Sequence, residues 1–276
     1  MEERMNQVIN DQSSGIDQGK QINDQLSILN QQWHSVIVGQ QAVCEKVLIA
    51  LIANGHVLLE GVPGLAKTLI ISTLAKLLGG NYKRIQFTPD MLPSDIIGTQ
   101  IYNAAKQDFE PKQGPIFAQF ILADEINRAP AKVQSALLEA MQEQQVTIGT
   151  NTFQLPNPFF VLATQNPVDQ DGTYPLPEAQ MDRFLFKTVL TYPTKDEEKQ
   201  IIQRYQKGFP VIEDSILDIE YISNIQHQAN KIYIDEKVSE YVIRLIDATR
   251  NPENYDLDNL KPFIRCGASP RATLEF

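Results

Sequence analysis

The chain has 276 residues, 42% hydrophobic and 21% charged, enough for one large globular domain or two modest ones. Its 34 acidic residues outnumber 24 basic ones, for a net charge of −10, with none of the basic stripe that disposes a protein towards nucleic acid. No apolar run approaches the ~18 residues that span a bilayer, and the opening MEERMNQVINDQSSG lacks an apolar export core, so a cytoplasmic protein without membrane insertion is expected.

Residues 1–32 are rich in Gln and Asn and read as a polar segment, partly disordered or weakly helical, with Ile22, Leu26 and Leu29 as a thin stripe. WHSVIVGQ (33–40) is a loop before a helical stretch, 41–54. Residues 57–68, VLLEGVPGLAKT, then run from an apolar strand into a glycine-punctuated turn. Gly61 and Gly64 leave that turn without Cβ atoms, so backbone N–H groups can wrap an anion. Lys67 adds a point charge, and Thr68 opens a helix with a hydroxyl suited to Mg²⁺. The helix points its positive end at the same anion. Ala66 stands where the usual phosphate-loop pattern has glycine.

FILADEINRAP (120–130) is a second apolar strand, ending in Asp124 and Glu125. Beside a phosphate loop, the first carboxylate suits ordering of Mg²⁺ and the second suits polarising the attacking water. A third strand, 159–164, leads to Asn166, placed to hold that water or sense the γ-phosphate. Further strands are expected at 84–87 and 185–188, a helix at 131–143 and a hairpin at 146–155. The alternation of strand and helix predicts a parallel sheet flanked by helices. The long stretch 88–118 interrupts it as an insertion. After Tyr192–Pro193 only helices are expected, at 195–207, 218–231 and 235–250, followed by a capped start at Ser269–Pro270. Cys44 and Cys266 read as small buried thiols, and His34, His56 and His227 show no metal-ligand spacing.

GVPGLAKT, TPDMLPSDIIGT (88–99), GPIFA (114–118), FILADEINRAP, QSALLEAMQE (134–143), ATQNP (163–167), GTYPLPEAQMDRF (172–184) and GASPRA (267–272) together resemble the MoxR family of AAA+ ATPases. The resemblance covers roughly residues 33–272, and Ala66 is that family's own variant of the loop. It implies an α/β fold: a P-loop NTPase parallel sheet flanked by helices (33–192) with a smaller all-helical C-terminal lid (193–276), apparently truncated. It implies ATP and Mg²⁺ as cofactors. Nucleotide contacts would come from Gly61, Val62, Pro63, Gly64, Leu65, Ala66, Lys67, Thr68 and Leu69, with adenine near Val38 and Gly39. Thr68 and Asp124 would organise the metal, Glu125 activate water and Asn166 position it.

By the same resemblance Arg183 would be an arginine finger supplied to the neighbouring subunit, and Arg271 a second sensor of nucleotide state. On residues alone, Arg183 reads as a surface ion pair worth ~0–1 kcal/mol. Arg128 reads either as a second intersubunit contact or as a helix-capping charge. Two functions remain open: a homo-oligomeric, hexameric ring that remodels a protein client, such as one with a von Willebrand factor A domain, or a helix-2-insert motor on nucleic acid. The hairpin sequence VTIGTNTFQL has no Lys or Arg to meet phosphate and favours the protein client.

Overall fold

The computed structural model of the chain describes residues 2–62, 64–167, 173–208, 210, 212 and 214–275. The elements run α1 (Glu2–Val36), α2 (Gln41–Ile52), β1 (Val57–Glu60), α3 (Lys67–Leu77), β2 (Tyr82–Gln86), α4 (Pro93–Ile97), β3 (Gly98–Asn103), β4 (Asp108–Gln113), β5 (Phe120–Asp124), α5 (Ala131–Glu143), β6 (Gln145–Ile148), β7 (Asn151–Gln154), β8 (Phe160–Gln165), α6 (Glu178–Met181) and β9 (Phe186–Val189). Helices α7 (Lys195–Lys207), α8 (Ile219–Ala229), α9 (Glu236–Arg250) and α10 (Pro270–Glu275) follow, with short 3-10 turns between.

Five strands form one parallel sheet in the order β2-β5-β8-β1-β9. The near-continuous apolar runs of β1, β5 and β8 follow from burial on both faces. Alternate side chains part company: Val57, Leu59, Phe120, Leu122, Phe160 and Leu162 meet α1, α2 and α3. Leu58, Ile121, Ala123, Val161 and Ala163 meet α5. Each strand therefore serves two cores at once, which fixes its register, because a one-residue slip would exchange the two sets.

The N-terminal segment is helical across the boundary that composition suggested at residue 32. The stripe Ile22, Leu26, Leu29 continues through Trp33 and Val36 at helical spacing, and packs on α3. Trp33 is fully buried, and its indole N–H donates to the Ile70 carbonyl at 3.1 Å. The 88–118 insertion contains α4 and the antiparallel hairpin β3–β4. Gly98 turns the chain from one into the other at φ 106°, where a Cβ would lie 2.2 Å from the Lys112 carbonyl oxygen. The hairpin expected at 146–155 is β6–β7.

The C-terminal helices divide in their packing. Ile222 and Ile225 of α8 join the main core, and the Gln226 amide donates to the Leu51 carbonyl at 2.7 Å. By contrast α9 leaves Val238, Tyr241 and Ile243 more than half exposed and buries Ile246. Cys44 is buried as expected, whereas Cys266 is exposed, because it lies in the open loop between α9 and α10 rather than in a core.

His56 sits at the foot of β1, where it joins three elements. Its Nδ1 accepts the Val161 N–H at 3.2 Å and its Nε2 lies 3.3 Å from the Met141 carbonyl, so Nε2 carries the proton. Burial pushes the imidazole down to about 4. The unfolded chain, titrating near 6.5, therefore takes up a proton before the native chain does. Stability present above pH ~6.5 should be lost as pH falls towards 4, by about 3 kcal/mol. Urea denaturation of wild type and His56→Asn across this range should show the two stabilities converging as the pH falls. Parallel pH profiles would show that His56 is not the group responsible.

Candidate functional site

The carboxyl ends of the parallel strands open onto a cleft of about 440 Å³. One wall is the turn between β1 and α3. The Gly61 N–H donates to the Gln165 carbonyl at 3.2 Å, and a Cβ on Gly61 would come within 2.9 Å of the Leu190 Cβ. Gly64 takes φ 88°, and Ala66 takes φ 57° as the residue that starts α3. The first turn of α3 carries no acidic side chain, so its amides present an uncompensated positive end. The Lys67 ammonium donates to the Gly61 carbonyl, back across the turn. Burial lowers its pKa, opposed by the nearby charges of Asp124 and Glu125.

The opposite wall is the acidic pair. The Thr164 hydroxyl donates to Asp124 Oδ1 at 2.6 Å and accepts the Glu125 N–H at 2.9 Å, so one β8 side chain fixes both acidic residues. Glu125 takes φ 57°, which turns its carboxylate away from the strand direction. The acidic strand β5 is not paired with the phosphate-loop strand β1. β8 lies between them and brings Asn166 to the lining of the cleft. At two strand spacings, roughly 10 Å, this leaves room between loop and carboxylate for a phosphate and a water.

Gly64, Ala66, Lys67, Thr68, Leu69, Asp124, Glu125 and Asn166 all line the cleft. Gly61 and Val62 form the turn behind it, and Leu65 is buried against the main core. Pro63 lies outside the described residues. Val38 and Gly39 sit in the α1–α2 junction, with Gly39 facing the Glu197 carboxylate of α7 rather than lining this cleft. Arg183 follows α6, its N–H bonded to the Gln180 carbonyl, and is likewise outside the lining. Arg271 donates to the Asp182 carbonyl at 3.1 Å, and the Ser269 hydroxyl to the Asp182 carboxylate at 2.8 and 2.9 Å. The start of α10 is thereby tied to the residue next to Arg183.

Arg128 closes the short 3-10 turn that follows the acidic strand, as the basic residue of its last turn. It pairs with Glu125 at 2.9 Å across one 3-10 turn. Two further lining residues escaped the sequence reading, Arg84 and Gln86. The Gln86 amide donates to Glu125 Oε2 at 2.9 Å, and Arg84 bonds Asp124. Their signal was present but slight: Arg84 and Gln86, two residues apart on β2, share one face of the sheet and lie in register with Leu122 and Asp124 of the acidic strand. Glu60, at the tip of β1, is held below the usual carboxylate range chiefly by its hydrogen bond from Lys187.

The family described as "ATPase family associated with various cellular activities (AAA)" matches residues 56–186, from His56 through the start of β9. The chain is 51% identical over 240 residues to Chaperone MoxR1 of Mycobacterium tuberculosis, covering 87% of this chain and 63% of that one. It is 46% identical over 241 residues to YeaC of Bacillus subtilis, itself uncharacterised, covering 87% and 72%. The crystal structure of a Cytophaga hutchinsonii protein superposes with a TM-score of 0.88 at 49% identity, over 95% of this chain and 80% of that one. The chain thus spans less than two thirds of the length of MoxR1. With the phosphate loop, the acidic pair and the intervening Asn-tipped strand on one sheet, the chain belongs to the MoxR family of AAA+ ATPases.

Proposed function

We propose that this chain binds ATP with Mg²⁺ in the cleft and hydrolyses it in a homo-oligomeric, hexameric ring that remodels or matures a client protein in the cytoplasm. The observation that carries the reading is the convergence of Lys67, Thr68, Asp124, Glu125 and Asn166 on one cleft from three different elements. The Thr68 hydroxyl and Asp124 carboxylate are oxygen donors on facing walls, which suits Mg²⁺. Among the described residues no group of three His, Cys, Asp or Glu could cage a metal alone. That too fits an ion held with substrate phosphates rather than by protein only. Held by Thr68 and Asp124, Mg²⁺ would supply positive charge against the charge that develops in phosphoryl transfer.

The chain's own residues do the rest. The α3 amides and Lys67 hold the β- and γ-phosphates, with the ammonium leaving the Gly61 carbonyl to do so. Glu125 takes a proton from the attacking water, once released from Gln86 and Arg128, and Asn166 orients that water. Arg183 acts on the nucleotide of the adjacent subunit, where an always-charged guanidinium can bridge phosphate oxygens. Arg271 reports lid position through Asp182. The β6–β7 hairpin, without Lys or Arg, supports a protein client, and a von Willebrand factor A domain is the class the family suggests.

Lys67→Ala should abolish nucleotide binding, whereas Glu125→Gln should bind ATP and fail to turn it over, because Lys67 meets ground-state phosphates and Glu125 meets only the water. A steady-state assay finding near wild-type turnover in Glu125→Gln would refute that assignment.

Arg183→Ala should keep ATP affinity and lose a large factor in rate, up to roughly 10³–10⁵ if the finger acts as in GTPases. Mixing Arg183→Ala with Lys67→Ala should restore partial activity, since some interfaces then combine an intact loop with an intact finger. No recovery, in rings shown by light scattering to have exchanged subunits, would place Arg183 within its own chain's chemistry or in a structural role.

A further inference from the structure

Asp124 is the carboxylate that a divalent cation needs, and here a cation already holds it. Arg84 directs two N–H groups at Asp124 Oδ2, Nε at 3.1 Å and Nη2 at 2.5 Å. The other oxygen, Oδ1, accepts the Thr164 hydroxyl. Both oxygens are therefore engaged, on a side chain only 14% exposed. Arg84 itself is 49% exposed and stands on β2, the edge strand of the sheet, so it has solvent to swing into. It lines the same cleft as Lys67 and Thr68. Its Nη2 also donates to Gln86 Oε1 at 2.8 Å, and the Gln86 amide donates to Glu125, so both carboxylates of the acidic pair are held from β2.

We propose that Arg84 is a stand-in cation: it occupies the Asp124 carboxylate until the divalent ion arrives with the nucleotide, and must release it for that ion to bind. This rests on the reading of the cleft as an ATP–Mg²⁺ site and adds a residue that sets the affinity of the metal. Arginine suits the task because it never loses its charge and binds a carboxylate through a planar fork, yet cannot enter a metal's coordination sphere as a donor. Releasing it also removes the donor that orients the Gln86 side chain, so metal arrival loosens the hold on Glu125. An edge-strand ion pair serving stability alone would leave metal binding indifferent to Arg84.

The test is Mn²⁺ binding, followed by electron paramagnetic resonance, to protein saturated with a non-hydrolysable ATP analogue, so that turnover plays no part. In Arg84→Gln the Mn²⁺ dissociation constant should fall about three- to tenfold, as expected for removing a charge-assisted, half-exposed competitor. Lys83→Gln removes the same charge from the other face of β2 and should leave the constant within twofold of wild type. Equal constants in Arg84→Gln and wild type, or equal shifts in the two variants, would overturn the proposal. Failure of wild type to bind the analogue at all would instead overturn the ATP reading beneath it.

Discussion

Everything at the cleft depends on β8 lying between β1 and β5. The phosphate-loop strand and the acidic strand never touch, and the gap of one strand sets their separation to within the spacing of a parallel sheet. Thr164 converts that spacing into side-chain geometry. As the fully buried residue two before Asn166, it donates to Asp124 and accepts from the Glu125 backbone. A hydroxyl is the smallest group able to do both at once. Valine would have the same shape but would leave a buried N–H and a carboxylate oxygen without their partner.

The elements that the sequence made legible share one property: their signal is local. Apolar runs bounded by Gly61, Asp124 and Asn166 marked β1, β5 and β8 within a residue or two, and α5 falls on 131–143 as periodicity indicated. The phosphate loop and acidic pair were readable because their chemistry demands particular residues in succession. Strand order was not, since apolar strands carry no label of their neighbour. Arg84, Gln86 and the Arg128–Glu125 pair were missed for the same reason: each meets its partner across the sheet or a turn, and a charged edge strand looks like any solvated one. The N-terminal segment reads as no more than weakly helical because its stripe is narrow and its polar remainder resembles a disordered segment. Trp33 was the clue, a large aromatic at helical spacing from Leu29 that burial in a core explains better than a loop does.

Charge is unevenly spent in this molecule. The chain is acidic overall, yet four cations (Lys67, Arg84, Arg128 and, behind the cleft, Lys187) lie within reach of Asp124, Glu125 and Glu60. Without them two adjacent carboxylates would repel each other and any phosphate alike. Most of these pairs are half-exposed, where an ion pair contributes ~0–1 kcal/mol to stability. They are weak as stabilisers, and what they supply to the cleft is charge balance rather than rigidity.

Two of the left-handed residues that carry a Cβ also stand at this cleft. Left-handed φ costs a residue with a Cβ about 1–2 kcal/mol, and both Ala66 and Glu125 adopt it on facing walls of the cleft. Neither conformation is forced by sequence, since alanine and glutamate prefer helix. Each is imposed by what surrounds it. Ala66 is fixed between the Gly64 turn and the first turn of α3, and Glu125 between the Thr164 hydroxyl and the 3-10 turn that places Arg128. The buried double core on either side of the sheet is large enough to carry that cost. Its consequence is geometric: the α3 amides face the cleft on one side and the Glu125 carboxylate leaves its strand to face them from the other.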